Sequence, residues 1–137
     1  MEKIKISELS IGDWVRVINQ FYAQIDGYHS GSGSLSLKTR QGNLVHYRLE
    51  DIHPIPLTAE ILEKNGFRKL DRFNEYVIGE WDSNPFIAVR LAEKFVEPTI
   101  LVKNGGTSAH LFGSRGENVH QLQHALRLAG VEKEIDV

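Results

Sequence analysis

The sequence predicts an α+β fold: an N-terminal SH3-like small antiparallel β-barrel, a linking helix, and a second antiparallel β region packed by a C-terminal helix. Three observations carry this expectation. Within about fifty residues, four or five short β-prone segments are joined by tight turns, the pattern of a small, strongly bent antiparallel sheet. Between Asp51 and Phe67 two prolines end that pattern and a well-punctuated helix begins. From Asn118 to Val131, apolar residues recur at helical spacing between a start and a stop signal.

Ile4 to Ile11 alternates loosely and ends at Gly12-Asp13, after which Trp14 to Ile18 reads as a strand by its β-branched and aromatic content. The opening Ile11-Gly12-Asp13-Trp14-Val15 suggests an exposed loop giving way to an inward aromatic. Phe21 to Ile25 is a second strand, and the Gly- and Ser-rich Asp26 to Ser34 reads as a hairpin tip. Leu35, Leu37 and Thr39 alternate with Ser36, Lys38 and Arg40, so this strand has one wet face. After the Gln41-Gly42-Asn43 turn the chain returns with Val45, Tyr47 and Leu49 on one side and His46 and Arg48 on the other. Closing such a sheet would protect its edges.

Asp51 to Pro56 cannot continue a central strand or a helix, because each proline lacks an N–H and biases the preceding residue towards extended backbone. Thr58 is the expected N-cap, with Leu57 placed to staple onto Leu62. Asn65-Gly66-Phe67 is the stop, glycine taking the left-handed position. A polar connection over 68–75 leads to a second β region: Tyr76 to Trp81, a turn at 82–85, Phe86 to Leu91, a break at Glu97-Pro98, then Thr99 to Val102. Asn104-Gly105-Gly106 fits a hairpin turn, with Ala109 to Phe112 pairing back. In the last helix Asn118 caps, Gln121 completes a capping box, and Val119, Leu122, Ala125, Leu126 and Ala129 share the face expected to lie on the second sheet. Residues 1–57 are read as the barrel subdomain and 58–137 as the remainder, the two forming one compact unit.

At 137 residues, 41% hydrophobic and 25% charged, the chain has the size and mixture of one ordinary globular domain. Sixteen basic residues against eighteen acidic ones leave a net charge of -2, which excludes a bulk pull towards nucleic acid or anionic membrane and leaves only local patches. The absence of cysteine excludes disulfides, thiolate metal sites and a cysteine nucleophile, and fits a reducing compartment. No stretch approaches the roughly 20 apolar residues of a membrane span, so a cytoplasmic protein with no membrane partner is expected.

His120 and His124 stand four apart and face the same way on a helix, as paired zinc ligands do. Gln121-Leu122-Gln123 between them lacks the glutamate base of a His-Glu-x-x-His peptidase. The helical wheel puts both opposite the apolar face, beside the positive Arg127, with a third ligand to be sought among His110, Glu117 and His29. Two solvated surface histidines are therefore the favoured reading. Gly31-Ser32-Gly33-Ser34 leads into a strand and cannot cradle phosphate against a helix N-terminus. Gly113-Ser114-Arg115-Gly116 does precede a helix, so Arg115 and nearby N–H groups are candidates to hold an anion, with a plain turn as the favoured alternative. In the first half Trp14, Tyr22, Tyr28 and Tyr47 interleave with Arg16, Lys38, Arg40 and Arg48, a combination suited to stacking bases and contacting phosphates. Core packing of the aromatics beside a solvated basic face is the favoured alternative. No Gly-x-Ser-x-Gly elbow is present.

Three blocks carry a resemblance: Ile11 to Val15; Pro54-Ile55-Pro56-Leu57-Thr58 continuing through Ile61-Leu62 to Asn65-Gly66-Phe67; and Val119-His120-Gln121-Leu122-Gln123. Together they resemble a group of small uncharacterised proteins common in Bacteroidetes genomes, often near phage or mobile elements. The resemblance implies no particular activity. The expectation is a non-catalytic binding or interaction module of phage or mobile-element type, without cofactor, whose partner is a protein and which can form a homo-oligomer. Nucleic-acid binding through the barrel face and metal dependence through His120 and His124 are the alternatives.

Overall fold

The computed structural model describes residues 4–18, 21–71 and 74–137. The fold is α+β and mostly strand, with two five-stranded antiparallel sheets and two helices. One compact unit runs to Ile55 and the second from Pro56 to Val137.

In the first unit a 3-10 turn at Ile6–Glu8 precedes β1 (Trp14–Val17), β2 (Phe21–His29), β3 (Ser34–Lys38) and β4 (Leu44–Arg48); a second 3-10 turn at Leu49–Asp51 leads into β5 (Ile52–His53). The sheet order is β4-β3-β2-β1-β5. Successive side chains of a strand point to opposite faces, so the register fixes what is inside. Val15 pairs with Ala23, Val17 with Phe21 and Ile52, Ile25 with Leu37, and Leu37 with Val45, which gathers one apolar face together with Ile4 and Leu35. The expected closed barrel is not formed. β4 and β5 end the sheet without pairing, because β5 has two residues before Pro54 and cannot bond both β1 and β4. The second strand also runs beyond Ile25 through a bulge at Asp26, so the hairpin tip shrinks to residues 30–33.

The second unit begins with α1 (Ala59–Lys64), whose signals were legible. Thr58 Oγ1 accepts from the Ile61 N–H at 3.2 Å, Gly66 has φ of 88°, and Phe67 N–H donates to the Leu62 carbonyl at 3.0 Å. The chain then passes through β6 (Arg68–Lys69), β7 (Glu75–Ile78), β8 (Phe86–Arg90), β9 (Thr99–Asn104) and β10 (Thr107–Phe112), paired in sequence order as a meander. β6, expected to be a polar connection, pairs Arg68 with Val77 and Lys69 with Tyr76. One face of this sheet presents Tyr76, Ile87, Val89, Ile100, Val102 and Ala109, all buried. α2 (Val119–Leu128) lies along β9 and β10, burying Val119, Leu122, Ala125 and Leu126 as the spacing predicts. Burial and the Glu63 carboxylate push the Tyr76 hydroxyl pKa up, so it stays neutral. The C-terminal segment is pinned to α1 by Asn65, whose Nδ2 donates to the Asp136 carbonyl at 2.7 Å while its Oδ1 accepts from the Asp136 N–H at 2.8 Å. Among the described residues no helix is long and apolar enough to cross a membrane.

Leu122 is fully buried between α2 and the sheet. Leu122→Ala should lower the unfolding free energy by about 2–5 kcal/mol. Thr58→Ala, which removes only the cap, should lower it by about 1 kcal/mol. Urea unfolding followed by circular dichroism measures both.

Candidate nucleic-acid interface

The face of the first sheet opposite its core is set by the same alternation. Its register positions are Trp14, Arg16, Tyr22, Gln24, Gly27, His29, Ser34, Ser36, Lys38, Leu44, His46, Arg48 and His53, and none is a carboxylate. The described acids of this unit lie off it: Glu8 in the first 3-10 turn, Asp13 buried, Asp26 at the bulge, Glu50 and Asp51 in the second 3-10 turn. Three of the four basic candidates in this unit, Arg16, Lys38 and Arg48, therefore share one face. Lys38 and Arg48 are exposed and Arg16 is half-buried beside Tyr22. Arg48 stands 3.8 Å from Glu50, an exposed pair of little strength.

Arg40, just past β3, stacks its guanidinium 5.1 Å from the centre of the Trp14 ring. Trp14 is buried, yet not in the apolar core: it shares the face of Arg16, opposite Val15 and Val17. The expected inward aromatic is thus a shielded outer-face residue held under a cation. Tyr22 is exposed; Tyr47 packs edge-on against Phe21 on the core side, and Tyr28 lies near the hairpin tip. Three histidines join the face, and the meeting of His29 and His46 was not visible in the sequence, since it depends on pairing across three strands. His29 Nε2 is 2.6 Å from Ser36 Oγ and its ring lies 5.3 Å from that of His46; His53 pairs with Arg16.

The other candidates fare differently. His120 is not a surface residue: it is 2% exposed, with its ring 5.7 Å from that of His124, which is half-buried. The wheel measures only angular distance from the apolar stripe. In the first turn of α2, Val119, His120, Leu122 and Gln123 are all buried, so this end of the helix is enclosed well beyond the stripe. Among the described residues no group of three His, Asp or Glu side chains is placed to hold a metal ion. Of the possible third ligands His110, Glu117 and His29, His110 lies against the Phe112 ring at 4.1 Å and His29 against Ser36.

Arg115 is exposed in the 3-10 turn Gly113–Gly116, but the donors beside it are taken. Glu117 and Asn118 N–H groups both donate to Gln121 Oε1, at 3.1 and 2.9 Å, and Gln121 Nε2 donates to the Ser114 carbonyl. The two glycines there differ: Gly113 takes a φ of 59°, whereas a Cβ on Gly116 would lie 3.4 Å from backbone atoms of Thr99, Ile100 and Leu111. No protein-family model matches the chain, and no curated protein or solved structure matches it.

With the His120 and His124 rings edge-on and no group of three possible ligands among the described residues, equimolar zinc should leave the thermal midpoint of the native protein and of His124→Ala alike within a degree or so. A rise of several degrees that His124→Ala abolishes, read by scanning calorimetry, would establish a metal site.

Proposed function

We propose that the protein is a non-catalytic binding module whose N-terminal sheet lays its outer face on single-stranded nucleic acid. The observation that carries this is the convergence of Arg16, Lys38 and Arg48 with exposed Tyr22 and three histidines on a face whose register positions hold no carboxylate. Cations contact phosphates without regard to sequence, and aromatic rings stack on bases. The net charge of -2 means attraction is confined to this face. A meander whose fifth strand returns to the first, after a 3-10 turn, is the connectivity an SH3-like barrel requires, and we infer that the open sheet is a variant of that design. A cytoplasmic setting and a place among mobile-element proteins go with it, on the strength of the sequence resemblance.

Fluorescence anisotropy with labelled oligothymidine should detect binding that weakens steeply with salt. Lys38→Ala and Arg48→Ala should each reduce the slope of log affinity against log salt by about 0.7. Tyr22→Ala should weaken binding by about 1–3 kcal/mol with an unchanged slope. Absence of binding at low salt, or variants that bind as the native chain does, would reject the proposal.

A second reading, docking to a protein, rests on Phe95. It is 95% exposed and has φ of 69°, the only non-glycine among the described residues with positive φ. Glu93 and Val96 exchange both backbone hydrogen bonds around it, making Lys94-Phe95 a two-residue turn whose second position ordinarily takes glycine or asparagine. A bulky residue held in this strained region without burial adds little to the fold beyond an exposed contact with Lys94, whose Nζ lies 5.4 Å from its ring centre, which is what an anchor awaiting a partner pocket looks like. Glu93 and Glu97 flank it, favouring a pocket with a basic rim and disfavouring nucleic acid. Phe95→Asn should match or exceed native stability by up to about 1 kcal/mol. A loss of stability in urea unfolding would mean that Phe95 packs within the fold and would remove this reading.

A further inference from the structure

We propose that β10 is a self-association edge, where two copies of this chain pair strand to strand and continue the second sheet from one copy into the other. The backbone parity comes first. Asn104 and Thr107 flank a two-residue turn and so form its closing hydrogen-bonded pair. Alternation then directs the N–H and C=O groups of Thr107, Ala109 and Leu111 at β9, and those of Ser108, His110 and Phe112 away from it. The Gly113 N–H bond to the Pro98 carbonyl, at 2.9 Å, continues the same parity one step beyond the strand. Among the described residues no hydrogen bond uses the main chain of Ser108 or His110 or the N–H of Phe112, whereas the Phe112 carbonyl, as N-cap of the 3-10 turn Gly113–Gly116, accepts the first bond of that turn. Their side chains are exposed too.

An unpaired row of this kind recruits another strand unless something prevents it. The remaining edges are each guarded. β6 is two residues long and both are basic; β5 is two residues long and runs into Pro54; β4 carries Arg48 and ends in a 3-10 turn. β10 alone has six residues, Thr-Ser-Ala-His-Leu-Phe, with no lysine, arginine, acid, proline or bulge.

A second copy is the occupant that this edge fits, because the edge is self-complementary. An antiparallel pairing about a twofold axis through His110 sets His110 opposite its equivalent and Ser108 opposite Phe112 of the second copy. All three outward residues are then matched. An axis through Ala109 or Leu111 matches only two. Small faces large, and no like formal charges oppose one another. A six-residue edge buries much less than the roughly 1,200 Å² of a standard interface, so the dimer is weak and concentration-dependent.

The cysteine-free sequence makes a direct test possible. In the proposed pairing His110→Cys brings two thiols onto Cα atoms about 5.5 Å apart, within disulfide reach. Ser108→Cys faces Phe112 and Leu44→Cys sits on β4, so neither meets its own equivalent. Under mild oxidation with diamide, His110→Cys should cross-link at least about tenfold faster than either control. Sedimentation velocity up to millimolar protein should show a reversible dimer that Ser108→Lys, a gatekeeper on an exposed position, weakens at least about tenfold. A chain that stays monomeric across that range, with His110→Cys no faster than Leu44→Cys, would overturn the proposal, as would a dimer indifferent to Ser108→Lys. Neither readout involves nucleic acid, so the result stands apart from the function proposed for the first sheet.

Discussion

The second unit hangs on the polar knot at the start of α2. Asn118 bridges to Pro56, the Glu117 carbonyl accepts the Leu57 N–H at 2.8 Å, and the Gln121 side chain binds Glu117, Asn118 and Ser114 together. Two pieces of chain remote in sequence meet there: the entry to the unit, and the 3-10 turn after β10 with the helix that follows it. The first N–H groups of a helix have no partner within it, and burying them unpaired would cost several kcal/mol in sum. One glutamine accepts both the N–H of the N-cap Asn118 and that of Glu117 before it. The same arrangement explains why the site is poor at holding an anion, and why the first turn is buried far around its circumference, His120 included.

Punctuation was the part of the fold legible in the sequence. Thr58, Gly66, Asn118, Gln121 and Gly130 act on backbone groups a few residues away, so their roles follow from local spacing alone. The alternations of β3 and β4 were equally local. What failed was whatever depends on a distant partner. β6 has no β-prone composition and exists because β7 offers Val77 and Tyr76 to Arg68 and Lys69. His120 is buried by packing that no wheel represents. The barrel stayed open because closure depends on whether a two-residue β5 can satisfy two neighbours.

The candidate site was half legible for the same reason. Arg16, Lys38, Arg40 and Arg48 could be named from composition, but the common face of Arg16, Lys38 and Arg48 required the register of four strands and a bulge. That bulge at Asp26 matters. Without the extra residue Gly27 and His29 would exchange faces with Tyr28, and His29 would lose Ser36 and His46.

The two sheets solve the problem of exposed backbone in opposite ways, and the contrast bears on function. The first guards its edges with brevity, proline and arginine, and turns a cationic face outward; the second keeps its faces more apolar and leaves one long edge bare. A single small cationic face binds a polyanion weakly and is readily displaced by salt. The proposed pairing through β10 would give each particle two such faces, so the second contact would form at the effective concentration set by the first. Weak pairing suffices for this, since a nucleic acid long enough to hold two chains side by side raises their local concentration and favours the edge contact in return. In that proposed arrangement binding and self-association would be linked reciprocally, and a chain dilute in solution would assemble along the polyanion.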